Sequence, residues 1–247
     1  LHGARLVCET VCAWSRRDRA VRARERLALG AVALEDRPWT GAPEAALRGA
    51  MLDGVRDLGL EALPWTPAAR RFAARVAWLR AAGDADLPDM SDGGLLAALH
   101  DWLGPHLGGV TRAGQLARLD LRAALEARLD WPARSRLDRL APAEIVAPTG
   151  TRLPVDYSGA APVVSVRLQE MFGLRAHPTI GPAATPLVVE LLSPAGRPVQ
   201  TTADLPGFWA NSYADVRRDL RGRYPRHPWP EDPAAAAATR RAKPRGT

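Results

Sequence analysis

The chain has 247 residues, of which 47% are hydrophobic, 25% charged and 6% aromatic, a balance that excludes collagen-like and fully disordered classes. The length suits one large domain or two small ones, each with an ordinary buried core. The formal charge is +7, and of 34 basic residues only Lys243 is lysine.

Residues 1–40 read as β-structure. Arg5 to Trp14 is rich in Val, Cys and Thr, Ser15–Asp18 is a polar turn, and Val21 to Leu29 alternates apolar residues with arginines. Gly30 breaks that run as a bulge would, and Ala31–Leu34 resumes it. An isolated hairpin is not stable in water, so these strands need further partners. Leu1 rather than Met at the start reads as processing or as the edge of a longer polypeptide. No signal peptide is recognisable, because an apolar stretch and a small-residue cleavage site are both missing.

Residues 41–141 change to a helical period. Pro43 opens a helix that Gly59 ends, Thr66-Pro67 starts a second, and Ser91-Asp92 begins a third carrying Leu95, Leu99, Trp102 and Leu103. A fourth is expected over 113–129 and a short fifth over 132–140, which together read as a helical bundle or array. From Pro142 the texture turns mixed. Short strands are expected at Glu144–Val146, Arg152–Tyr157, Val163–Leu168 and Leu187–Leu192, then, preceded by Thr202 and Asp204, a final helix lined by Phe208, Trp209, Tyr213, Val216 and Leu220. Residues 223–247 are rich in Pro and Ala and read as an extended or disordered basic tail. Apolar runs such as 186–192 fall well short of the ~20 residues that span a bilayer, so the chain reads as soluble.

Charge is concentrated at that end. Arg217, Arg218, Arg221, Arg223, Arg226, Arg240, Arg241, Lys243 and Arg245 face only Asp219, Glu231 and Asp232, giving +6 of the +7, which points to an anionic partner. Catalytic patterns are lacking. A phosphate-cradling P-loop needs a Gly-rich loop with a lysine, and Lys243 stands in none. His2, His100, His106, His177 and His227 form no metal-ligand pattern, and Cys8 with Cys12 supply half a zinc site at most, so they read as small buried hydrophobes. Asp156 and Glu170 are an acid/base pair only by coincidence of type. No catalytic, cofactor or metal site is expected in this chain.

The C-terminal third carries a dense set of words: Val166-Arg167-Leu168-Gln169-Glu170-Met171-Phe172-Gly173, then Leu191-Leu192-Ser193-Pro194-Ala195-Gly196-Arg197-Pro198, then Gly222-Arg223-Tyr224-Pro225-Arg226-His227-Pro228-Trp229-Pro230-Glu231-Asp232-Pro233. At these residues the sequence resembles the C-terminal region of HrpB-type ATP-dependent helicases, a bacterial DEAH/DExH-box family, most strongly over 142–243. One departure is Arg226, where the family commonly has lysine. It keeps the charge and exchanges a point charge for a planar fork.

The resemblance implies an α+β chain: residues 1–40 as the final strands of an OB-like fold, 41–141 as a helical region, 142–222 as a small mixed α/β domain, and 223–247 as a basic tail. It also implies a longer cytoplasmic parent whose RecA-like lobes would hold ATP and Mg, leaving this segment inert alone. Its partners would be the remainder of the helicase polypeptide and RNA or another single-stranded nucleic acid. The alternative is a protein-interaction module that recruits the helicase without touching RNA. The candidate nucleic-acid contacts are Arg223, Tyr224, Arg226, His227, Trp229, Arg240, Arg241 and Lys243, since interleaved cations and aromatics grip a phosphate backbone and stack bases. The competing reading makes Tyr224 and Trp229 staples that fix the tail, and Phe208, Trp209 and Tyr213 core residues of the last helix.

Overall fold

The computed structural model describes residues 6–29 and 32–242. The chain forms two compact units: one contains the residues up to Ala73 together with Pro88–Asp130, the other Ala74–Leu87 together with Trp131 onward.

The first unit opens with an antiparallel meander of β1 (Leu6–Ser15), β2 (Ala20–Leu29) and β3 (Val32–Pro38). The alternation in β2 works as the sequence suggests: Val21, Ala23, Glu25 and Leu27 are half-buried while Arg22, Arg24 and Arg26 are exposed. The register slips between Leu27 and Ala28 against β3; the bulge expected at Gly30 itself lies outside the described residues. Cys8 and Cys12 share one side of β1, opposite Leu27 and Ala23, and both are free thiols. Cys8 is exposed and Cys12 half-buried, so neither is the buried small hydrophobe expected, and Cys8 lies 3.4 Å from a Glu25 carboxylate oxygen.

Helix α1 (Glu44–Leu58) packs against β1. It has no side-chain cap at Pro43 and ends where Gly59, at φ +81, donates its N–H to Val55 O. Trp14 lies over Gly54 and donates from Nε1 to Asp57 at 3.1 Å; a Cβ on Gly54 would come within 2.6 Å of that indole. Helix α2 (Pro67–Ala81) starts at Thr66, whose hydroxyl accepts from Ala69 N–H, and its first half belongs to this unit.

Two expected helices are interrupted. The segment after Ser91, whose hydroxyl accepts from Gly94 N–H, forms α3 (Asp92–Ala97) and α4 (Leu99–Leu103) with a break at Ala98. There the Trp102 indole donates to Leu95 O at 2.9 Å, occupying the carbonyl that a continuous helix offers to its fourth residue on. Residues 113–129 divide into a 3₁₀ turn (Ala113–Arg118) and α5 (Leu121–Glu126), because Asp120 accepts from Ala123 N–H and starts a new helix after the extended Leu119.

The second unit takes the rest of α2 and then α6 (Trp131–Leu140). A hairpin of β4 (Glu144–Val146) and β5 (Arg152–Pro154) turns at Gly150, φ +80, whose N–H donates to Ala147 O. The main sheet is built on β6 (Val163–Arg167), paired in parallel with a later strand after a crossover through residues 168–187 that includes the two-residue strands β7 (Thr179–Ile180) and β8 (Thr185–Pro186). That partner is β9 (Val188–Leu192), which turns back through Ser193–Arg197 to the antiparallel edge strand β10 (Pro198–Thr202). Gly196 at φ +77 makes the turn, and Ser193 ties it by accepting from Arg197 N–H at 3.1 Å.

The final helix is two: α7 (Leu205–Asn211), capped by Asp204 accepting from Gly207 N–H, and α8 (Tyr213–Arg223), separated at Ser212. Val164, Val166, Leu168, Phe172, Val189, Leu191, Leu205, Phe208 and Tyr213 form one core. Among the described residues, no helix is long and apolar enough to cross a membrane.

Candidate nucleic-acid interface

The residues after α8 run over the core of their own unit as a strap. Trp229 is buried, 9% exposed, and belongs to that core; its Nε1 donates to Tyr224 O at 2.9 Å. Two helix residues and one loop hold the strap down. Tyr213 donates its hydroxyl to Pro230 O at 3.0 Å, Arg217 donates Nε to Trp229 O at 2.9 Å and pairs with Glu231, and Gly173 N–H donates to Pro233 O. Burial pushes the Tyr213 phenol up to about 12, as suits a hydroxyl committed to donating. Further along, Ala234, Ala236 and Ala238 pack against the core in alternation, and Thr239 N–H donates to Gln169 O. The segment turns once on the way, where the Asp232 carboxylate accepts from Ala234 and Ala235 N–H, and its small side chains let the backbone lie close.

This placement sorts the sequence candidates. Tyr224 is half-buried against the core, with its ring edge-on to His227 at 6.2 Å, so both Tyr224 and Trp229 carry out the stapling alternative. Phe208, Trp209 and Tyr213 meet each other and Phe172 in tilted and edge-on contacts at 5.1–6.3 Å, inside the core. The cations stay outside. Arg223 is exposed and pairs with Asp219 across one turn of α8, while Arg226, Arg240 and Arg241 are exposed. Lys243 lies outside the described residues.

Sequence reasoning missed Arg167. The alternation of β6 buries Val164 and Val166 and leaves Ser165 and Arg167 outward, where Arg167 adds to the charge around His227. Burial first, then Arg167 and Arg226, hold the His227 imidazole below its ordinary value of 6.5. Above 6.5 both folded and unfolded chains hold a neutral imidazole; below it the unfolded chain takes up a proton that the folded one resists. Unfolding free energy is thus expected to fall as pH drops through 6.5 toward the lower folded value, and His227→Gln should flatten that part of a urea-midpoint profile.

Asp156 and Glu170 have structural duties. The Asp156 carboxylate accepts from Ser158 N–H, and buried Glu170 receives both the Thr149 and Thr151 hydroxyls at one oxygen, tying the β4–β5 turn to the segment after β6. Among the described residues, no three His, Cys, Asp or Glu side chains gather as a metal site would require.

A family described as ATP-dependent helicase C-terminal, of the HrpB type, matches residues 102–233, more than half the chain. The chain belongs to that family. It is 43% identical over 235 residues to the ATP-dependent RNA helicase HrpB of Escherichia coli K12, covering 93% of this chain and 29% of that protein. It also superposes on the crystal structure of the E. coli DExH-box NTPase HrpB with a TM-score of 0.80 at 40% identity, covering 96% of this chain and 30% of the other. A second crystal structure, of the E. coli DEAH/RHA helicase HrpB, gives 0.67 at 38% identity over 91% of this chain and 29% of the other. This HrpB-type chain thus spans about three tenths of the length of these relatives.

Proposed function

We propose that this chain is the accessory, non-motor C-terminal portion of an ATP-dependent RNA helicase, working in the cytoplasm, and that it meets RNA through phosphate contacts from the arginines flanking its strap. The observation that carries the reading is the division of labour along residues 223–242. Aromatic and backbone ties fix the segment, so Arg223 and Arg226 at one end and Arg240 and Arg241 at the other are presented outward from a held backbone. Such contacts grip a strand without reading its bases, and Trp229, buried in the core, and Tyr224, packed against it, serve in this reading as staples rather than stacking platforms. ATP and Mg belong in this reading to RecA-like lobes of the full polypeptide; the residues here do not fit them, since the single lysine stands in no Gly-rich loop.

The test is anisotropy of a labelled single-stranded oligouridylate with the full chain across a salt series. Replacing Arg223, Arg226, Arg240 and Arg241 by Gln is expected to flatten the log K against log salt slope by about 0.7 for every phosphate that is no longer neutralised. An unchanged slope removes the reading.

A second reading concerns the rest of the polypeptide. Val7, Val11, Val32 and Leu34 on the β1–β3 meander are exposed by 44–61%, an unusual density of open apolar side chains. The meander would be the last part of an OB-like fold completed by strands of the same parent, consistent with the 29% share of the relative that this chain covers. A nuclease-resistant pull-down of the remaining helicase polypeptide, abolished in Val7→Lys with Val11→Lys, would support it; recovery sensitive to nuclease would not.

A further inference from the structure

A second arginine cluster lies in the first unit, away from the strap in sequence. The four-residue turn Arg16–Arg19 between β1 and β2 is pinned to residues 111–113: Val21 N–H donates to Thr111 O at 2.7 Å, Ala113 N–H donates to Arg19 O at 3.0 Å, and Ala20 bridges Arg112. The facing wall is held as firmly, since the Gln115 side-chain oxygen accepts from both Thr111 and Arg112 N–H at 2.9 Å. Between them is a cavity of about 510 Å³ lined by Asp18, Arg19, Arg112, Gly114, Gln115 and Arg118.

Three features set this place apart. Arg19 sits at φ +48, a left-handed conformation that costs a branched-at-Cβ or long side chain more than Gly or Asn, yet the position carries a cation. The one acid in the lining is already engaged: Asp18 receives Arg22 Nε at 2.9 Å and the Ser15 hydroxyl at 2.8 Å, which hold its carboxyl down at about 2. And many arginines of the unit are paired with carboxylates, as Arg22, Arg24, Arg37, Arg56, Arg70 and Arg122 show. Arg19, Arg112 and Arg118 are exposed with no carboxylate within 4 Å among the described residues. Uncompensated guanidinium groups on two pinned backbones are what a phosphate needs, because their planar forks bind its oxygens in pairs.

We infer that this cavity is a binding site for a phosphorylated ligand, held by Arg19, Arg112 and Arg118. Two sources carry that chemistry, a nucleic-acid strand and a free oligophosphate.

Phenylglyoxal labelling of the full chain, located by mass spectrometry, tests it with sodium tripolyphosphate in one arm and a single-stranded oligouridylate in the other. Arg71, exposed in the same unit and free of an ion pair, serves as the internal control. Protection of Arg19, Arg112 and Arg118 beyond that of Arg71 is expected, and the arm that produces it names the source. Labelling unchanged in both arms, or protection equal to that of Arg71, overturns the site. Protection confined to Arg223, Arg226, Arg240 and Arg241 overturns it while leaving the proposed function standing. Arg19→Gly supplies the second check: glycine takes φ +48 freely, so the melting temperature should hold while affinity for the protecting anion falls about tenfold. An unaltered affinity in that variant also counts against the site.

Discussion

Trp229→Ala is expected to destabilise the second unit by about 3–5 kcal/mol, the range for emptying a large aromatic from a core. Trp229 is 9% exposed, packs in the same cluster as Phe172 and Tyr213, and closes the strap on itself through Tyr224 O. Urea unfolding followed by far-ultraviolet circular dichroism would measure the loss. Trp229→Phe keeps most of the buried area and forfeits the indole N–H bond, so it should cost only about 1 kcal/mol. Arg223→Gln, in the same word of sequence, gives up an exposed pair with Asp219 and should change stability by no more than about 0.5 kcal/mol. A large effect from Arg223→Gln with a small one from Trp229→Ala would reverse the roles assigned to them.

Arg75→Met is expected to cost about 2–4 kcal/mol. Arg75 is 8% exposed, and its guanidinium donates Nε to Ala141 O and the other arm to Leu137 O at 3.2 Å and to the Asp138 carboxylate. It thereby satisfies the Ala141 carbonyl just past α6 and adds a donor to Leu137 O, which already accepts from Ala141 N–H. Methionine fills similar volume and offers no donor, so the fully buried Ala141 loses its partner at a cost of about 1–3 kcal/mol, with the Leu137 and Asp138 bonds adding to it. The same unfolding measurement applies; an unchanged midpoint would mean that α6 needs no outside cap.

Arg75 also shows where sequence reading stops. The stripe of Phe72, Val76 and Leu79 made α2 legible, but an arginine on that stretch reads as solvated until its acceptors, more than sixty positions away, are known. Elements with start and stop residues were readable: Pro43 and Gly59 around α1, Ser91 before α3, Asp204 before α7. The breaks at Ala98 and Ser212 carry no Pro or Gly mark; at Ala98 it is the Trp102 indole that takes the helix's carbonyl. Strand β10, Pro-Val-Gln-Thr-Thr, was missed as an edge strand whose polar alternation looks like loop. At the candidate interface, the charges were legible from composition, and so was the choice between stapling and stacking for Tyr224 and Trp229. The side taken depended on acceptors supplied by Tyr224, Pro230 and Gln169, which no local pattern reveals. Arg19, Arg112 and Arg118 were invisible as a group, since a turn and a distant 3₁₀ segment bring them together.

The strap has a bearing on synthesis. Residues 229–239 follow every other part of the core they cover, so a polypeptide emerging from the ribosome shows Phe172 and Tyr213 uncovered until that stretch clears the exit tunnel. A polypeptide ended before Trp229 would keep that greasy surface open after synthesis is complete.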